Sequence, residues 1–276
     1  MQEFVEFRIP EGNARKLFRP DEGILLGGSV RKIRLNTNSD RFVEIGDFDR
    51  KFRSENRAFY TACIIHREYT KEEIKAANLF RLKIKPIFEP AGEECGTVYD
   101  ESTACPQCGS GAVQKTQLSL PERRIPRGKD FCQTIAGEML LSRKAKELLT
   151  KNETRGVEFM QLKTDVSANS WYQLLILSKN AKIVAPTQVG IDLFDNDSEG
   201  KYRCEKGDLI GLNILSEVSV NHQTLTNTDL QCTQQFVGVR RGFLRPERAI
   251  LITQNIREII ESEKLKGVEL EVAHVI

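Results

Sequence analysis

Met139-Leu140-Leu141-Ser142 and, much further along, Ile250-Leu251-Ile252-Thr253 open two stretches that match without a gap. Glu147-Leu148-Leu149 answers to Glu258-Ile259-Ile260, and Gly156-Val157-Glu158-Phe159 to Gly267-Val268-Glu269-Leu270, always 111 residues apart. In each stretch a short apolar strand runs into a Ser or Thr that can cap a helix. Apolar residues follow at helical spacing, Ala145, Leu148 and Leu149 in one and Ile256, Ile259 and Ile260 in the other, and a glycine then returns the chain to a strand. Each stretch predicts a strand, a helix and a strand. Capped helices ending in glycine are common enough to match by chance, but ungapped agreement over about twenty positions favours an internal repeat. The expected fold is α+β with more strand than helix, in two tandem strand-rich modules, 1–165 and 166–276, each ending in a strand-helix-strand unit. The boundary is placed in the polar, short-sided stretch 164–169, ahead of the apolar run Trp171-Tyr172-Gln173-Leu174-Leu175-Ile176-Leu177.

Within the first module, Thr70-Lys71-Glu72-Glu73 is a capping box that opens a helix over 70–80. Leu82 and Ile84 alternate with lysines in a strand that Pro86 confines or ends. In the second module 208–220 and 231–239 are rich in β-branched and apolar residues and read as paired strands.

A chain of 276 residues, 39% hydrophobic and 29% charged, can bury a proper core without disulfides. Its 41 basic and 39 acidic side chains nearly cancel, so no whole-molecule field draws it to nucleic acid or an anionic membrane. The opening Met1-Gln2-Glu3-Phe4-Val5-Glu6-Phe7 lacks a basic segment followed by an apolar run, and no later stretch has the length to span a bilayer. A soluble, cytoplasmic protein with no membrane partner is expected, and its seven cysteines, an odd number, read as reduced thiols, some of them metal ligands.

Cys105-Pro106-Gln107-Cys108-Gly109, with Cys95-Gly96 upstream, has the local chemistry of a zinc knuckle in a loop of the first module. Two thiolates separated by two residues reach one tetrahedral metal, and the glycine lets the backbone turn left-handed beneath the sulfur. Gly92-Glu93-Glu94-Cys95-Gly96 has the shape of a second knuckle with Gly92 where its first cysteine would stand. The expected ligands of a structural zinc are Cys95, Cys105, Cys108 and, as first choice for the fourth, Cys132. Glu93, Glu94, Asp100 and His66 compete for that fourth place, Cys132 also reads as a buried free thiol, and a decayed site without metal competes with the zinc. His66, His222 and His274 are scattered, which disfavours a catalytic zinc, and Cys63, Cys204 and Cys232 read as small core or strand residues.

Other motifs have plainer readings. Asp195-Asn196-Asp197-Ser198-Glu199-Gly200 resembles the opening of a calcium loop, but Lys206 stands at the twelfth position, where a bidentate glutamate is needed. The runs Arg123-Arg124-Ile125-Pro126-Arg127-Gly128-Lys129 and Arg240-Arg241-Gly242-Phe243-Leu244-Arg245-Pro246 would grip phosphates only if they converged, and they read as solvated loops or a partner surface. No phosphate-cradling glycine loop, nucleophile elbow or dinucleotide fingerprint is present.

Gly96-Thr97-Val98-Tyr99-Asp100, Ala104-Cys105-Pro106-Gln107-Cys108-Gly109, Ile135-Ala136-Gly137-Glu138, the helix leading to Gly156-Val157-Glu158-Phe159, Tyr202-Arg203-Cys204, Arg245-Pro246 and the closing Gly267-Val268-Glu269 together resemble the bacterial double-CXXCG motif proteins and related toxin-immunity-like proteins. The resemblance implies zinc on Cys95, Cys105 and Cys108, with Gly92 departing from the pattern. It also implies a protein partner and a steric role: an immunity protein that neutralises a cognate toxin by covering its active site without performing chemistry. Two further readings are a zinc-ribbon protein that binds nucleic acid and a metal-dependent enzyme.

Overall fold

The computed structural model describes residues 1–164 and 170–276, so the expected module boundary at 165/166 lies outside the described residues. The chain begins with β1 (Gln2–Pro10), α1 (Glu11–Ala14), β2 (Ile24–Leu26), β3 (Val30–Asn36), α2 (Asp40–Ser54) and β4 (Ala62–Glu68). Then follow α3 (Lys71–Ala76), β5 (Leu79–Ile84), β6 (Ile87–Phe88), β7 (Tyr99–Asp100), β8 (Val113–Gln114), β9 (Phe131–Thr134) and β10 (Met139–Ser142). Next come α4 (Arg143–Lys151), β11 (Val157–Gln161), β12 (Trp171–Ile176), β13 (Val189–Asp192), β14 (Asp195–Asn196), β15 (Asn213–Ile214) and β16 (Val218–Val220). The last elements are β17 (Leu230–Val237), β18 (Glu247–Thr253), α5 (Gln254–Ser262) and β19 (Val268–Val275). Strand outweighs helix, as expected of this α+β chain. Among the described residues no helix is long and apolar enough to cross a membrane.

The chain divides into two compact units, Met1–Ala76 with Asp192–Asn196, and Ala77–Ile191 with Asp197–Ile276. The smaller unit is an antiparallel sheet in the order β2-β3-β1-β4. Alternation along β1 sends Val5, Phe7 and Ile9 to one face, where they join Ile45 and Phe52 of α2 in a single core. Ser39 caps α2 by accepting a hydrogen bond from the Phe42 amide at 3.3 Å. Phe194 stacks on Phe7 at 6.2 Å, and glycine at position 46 leaves room for it, since a Cβ there would fall 2.9 Å from the Phe194 ring.

The larger unit holds two five-stranded sheets, β11-β12-β10-β9-β6 and β16-β19-β5-β18-β17. Both predicted strand-helix-strand stretches form, as β10-α4-β11 and β18-α5-β19. They do not close into tandem modules. Between β18 and β19 lies β5, antiparallel to both, with Leu82 opposite Ile250 and Leu270. Between β10 and β11 lies β12 in the same way, with Gln173 opposite Leu140 and Met160. A strand-helix-strand crossover whose two strands are not neighbours leaves a slot between them. Here each slot is filled by a strand from the other expected module. Leu79, Phe80, Leu82 and Ile84 are buried as a central strand requires, so β5 cannot be released to its own half without exposing that row.

Matching contacts lock the two sheets. The Asp130 carboxylate accepts from the Lys266 amide at 2.8 Å and from the Ser142 hydroxyl at 2.8 Å. Asp229 accepts from the Arg155 amide at 2.9 Å and from the Thr253 hydroxyl at 3.5 Å. The glycines after those basic residues, Gly267 (φ +105°) and Gly156 (φ +88°), pass so close to the Phe131 and Leu230 carbonyls that a Cβ would lie 2.2 and 2.5 Å from them.

Two local expectations change. The Thr70 capping box forms in both directions, but α3 stops at Ala76 because the sheet claims Leu79 and Phe80. The 208–220 and 231–239 stretches do not pair as a hairpin: β17 pairs with β18, β16 runs parallel to β19, and the two stretches meet at a Leu209–Val237 bridge.

Candidate metal centre

Cys105 and Cys108 sit on a tight turn in the loop between β7 and β8. The Cys105 amide donates to the Ser110 carbonyl at 2.7 Å and the Gly109 amide to the Cys105 carbonyl at 2.8 Å, with Gly109 at φ +75°. The amides of Cys108 and Gln107 point at the Cys105 sulfur and hold its thiol below the usual range, while burial pushes the Cys108 thiol up to about 11. Amides aimed at sulfur favour the thiolate, the form that binds metal.

A second turn of the same kind lies nearly a hundred residues on. At Cys204-Glu205-Lys206-Gly207-Asp208 the Cys204 amide donates to the Asp208 carbonyl at 3.1 Å and the Gly207 amide to the Cys204 carbonyl at 2.8 Å, with Gly207 at φ +82°. It is one residue shorter than the first turn and has no second cysteine. The two turns face each other within the larger unit. The sulfurs of Cys105, Cys108 and Cys204 all lie within 4.8 Å of one another, and all three residues are buried. Among the described residues no such group of His, Cys, Asp or Glu ligand atoms lies anywhere else. Asp208 borders it, with Oδ2 3.7 Å from the Cys108 sulfur and 3.6 Å from the Cys204 sulfur.

Of the four expected ligands the structure brings Cys105 and Cys108 together and places Cys95 and Cys132 outside the group, against an apolar cluster of Leu118, Leu120, Ile125 and Leu140. Gly92-Glu93-Glu94-Cys95-Gly96 does fold as a turn, with Cys95 donating to the Gly92 carbonyl at 3.0 Å and Gly96 at φ +89°. Gly92, however, is a packing glycine. A Cβ there would lie 2.4 Å from Leu118 Cδ1, 2.7 Å from Glu138 Oε1 and 2.8 Å from Thr97 Oγ1. The buried Glu138 carboxylate accepts from the Gly92 amide at 3.1 Å, from the Tyr99 hydroxyl at 2.7 Å and from Thr134. Burial, with Glu94 and Glu138 nearby, raises the Cys95 thiol, and burial pushes the Cys132 thiol up to about 12. The four side chains that compete with Cys132 are engaged elsewhere: Glu94 accepts from the Ala91 amide, Asp100 from Ser102 and Lys115, Glu93 from Arg245, and His66 sits in β4 of the smaller unit.

The sequence reading missed Cys204. The cue was a glycine three residues after it, which sets the second turn just as Gly109 sets the first.

The first turn also anchors the arginine-rich loop. The Arg240 amide donates to the Cys108 carbonyl at 2.9 Å, and Arg241 and Leu244 close a small loop by exchanging backbone hydrogen bonds at 3.0 and 3.1 Å. Phe243 and Leu244 are exposed at its tip. A surface hollow of about 690 Å³, lined by residues that include Glu101, Pro106, Gln107, Arg240 and Gly242, lies between turn and loop. Arg240 pairs with Glu101 at 2.6 Å, and Arg245, over the Tyr99 ring at 4.3 Å, pairs with Glu93 and Glu101 at 2.8 Å each.

Three buried thiols brought together from two turns, with amides directed at one sulfur, are a donor set that fits a soft or borderline metal such as zinc. No protein-family model matches the chain, and no curated protein matches it significantly.

Proposed function

We propose that this is a non-enzymatic binding protein whose two facing turns form paired knuckles around a structural zinc, and that the zinc braces a docking loop. The observation that carries the reading is the direct link from ligand to surface: the Cys108 carbonyl holds the Arg240 amide, and three residues on the loop presents Phe243 and Leu244 to solvent. The sulfurs are closed off, Cys108 fully and Cys105 and Cys204 to 4% and 5% exposure, which suits an ion that holds structure over one that takes substrate. The alike sheets and their matching locks support duplication of one unit that exchanges β5 and β12 between its copies. The family resemblance supplies the partner, a cognate bacterial toxin covered by this face, and implies work in the cytoplasm.

The nucleic-acid reading draws less support, because Arg240 and Arg245 are spent on Glu93 and Glu101. The test is co-expression with the product of the adjacent gene. A complex that forms without turnover, and that Phe243→Ala with Leu244→Ala weakens at least tenfold, is expected. No complex, together with steeply salt-dependent oligonucleotide binding, would replace this reading with the nucleic-acid one.

A further inference from the structure

We propose that the smaller unit carries a peptide-recognition site of its own, a groove along α2 that takes a short acidic turn of the form Asp-x-Phe-Asp, and that the chain's own Asp192-Leu193-Phe194-Asp195 fills it in cis. Every residue of this site belongs to the smaller unit, so it stands apart from the knuckle turns and their loop. Phe42, Gly46, Asp49 and Arg53 recur at helical spacing and share one side of α2. At one end Phe194 enters an aromatic slot, its ring centre 5.1 Å from Phe42, 6.2 Å from Phe7 and 6.3 Å from Tyr60. Gly46 is the floor of that slot, since a Cβ there would meet two atoms of the ring at 2.9 Å. At the other end Asp49, 1% exposed, holds the Arg53 Nε at 2.5 Å and so aims the rest of the guanidinium at the turn. Arg53 donates to Asp192 and, at 3.3 Å, to Asp195. An aromatic anchor in a pocket beside a preorganised guanidinium is how short acidic peptides are held.

Two observations mark the turn as a ligand. It is self-contained: the Phe194 amide donates to the Asp192 Oδ1 at 2.9 Å, so the turn is shaped by its own first residue, whereas Arg53 lies 139 and 142 residues from the aspartates it binds. It also leaves the slot imperfectly filled. Phe194 is only half-buried, and Tyr60, 8% exposed with its ring edge-on to Phe194, has a hydroxyl without a hydrogen-bond partner among the described residues. A buried hydroxyl is costly to leave unpaired, and an incoming peptide that offers it an acceptor gains what the cis turn forgoes. Tethering gives the cis turn a high effective concentration, so a partner's turn of the same chemistry has to displace it.

The test is fluorescence polarisation of a labelled pentapeptide with the sequence of residues 192–196, added to the full chain. Phe194→Ala is expected to bind it at least about tenfold more tightly than wild type, because the slot is vacated. The peptide with alanine for its phenylalanine, or with asparagine for both aspartates, is expected to bind that variant at least about tenfold more weakly. A folded Phe194→Ala chain that binds no better than wild type, or that binds all three peptides alike, overturns the proposal. Should Phe194→Ala fail to fold, Asp192→Asn with Asp195→Asn loosens the cis turn without touching the ring; a rise in peptide affinity supports the site, and no rise overturns it. A mixed dimer of Phe194→Ala with wild type, formed where the peptide does not bind, would assign the groove to a second copy of this chain and overturn the peptide reading.

Discussion

Placing cysteine at position 92 would restore the pattern of a second knuckle on paper, and the structure predicts that it damages the protein instead. The new Cβ would press on Leu118 at 2.4 Å, Glu138 at 2.7 Å and Thr97 at 2.8 Å, none of them the loose end of an exposed side chain. Overpacking of this kind costs about 1–3 kcal/mol. Pushing the Glu138 carboxylate off the Gly92 amide weakens a buried hydrogen bond and adds about 1–2 kcal/mol more. Gly92→Ala and Gly92→Cys should therefore each lower stability by about 2–5 kcal/mol. The assay is urea denaturation of both variants, with metal content measured on the folded protein. Stability within about 0.5 kcal/mol of wild type, or a second equivalent of zinc in Gly92→Cys, would refute the packing argument and restore Cys95 as a ligand.

Gly156→Ala and Gly267→Ala should each cost about 2–4 kcal/mol in the same measurement, since φ is positive at both and the added methyl meets a carbonyl; a cost below about 0.5 kcal/mol for both would contradict the lock between the sheets. Glu11 predicts an acid transition. Hydrogen bonds from Arg31 and then Arg15 hold its carboxyl down at about 2, below the ordinary 4.5. With the folded value depressed, the stabilisation is fully present above the ordinary value and is lost as pH falls through about 2. Thermal melts across that window should decline in wild type more steeply than in Glu11→Gln, and parallel declines would contradict the pairing. Phe243→Ala with Leu244→Ala should leave urea stability within about 0.5 kcal/mol of wild type, because both side chains are exposed; a larger loss would make the tip structural and unsuited to docking.

Local patterns carried the sequence reading as far as local physics reaches. Ser142 accepts from the Ala145 amide at 3.2 Å, Ile256, Ile259 and Ile260 are buried, and Gly156 and Gly267 turn the chain as predicted, because caps, helical spacing and positive-φ turns depend on neighbours within a few residues. Thr253 is the exception, its hydroxyl donating to Asp229 and leaving α5 without a side-chain cap. The insertion of β5 between β18 and β19 was not legible, since a strand's partners leave no mark on its own alternation. The same limit applies at the candidate metal centre. Cys105 and Cys108 announce themselves by spacing, whereas Cys204 reaches them only through the fold and carries no companion cysteine. Gly92 misled for a related reason: its pattern is that of a missing ligand, but its cause is Glu138, 46 residues away.

Zinc content of the purified chain, set against Cys204→Ala and Cys95→Ala, tests the central claim most directly. One zinc per wild-type chain, lost in Cys204→Ala and kept in Cys95→Ala, is the predicted result. Zinc retained without Cys204, or lost without Cys95, would contradict it.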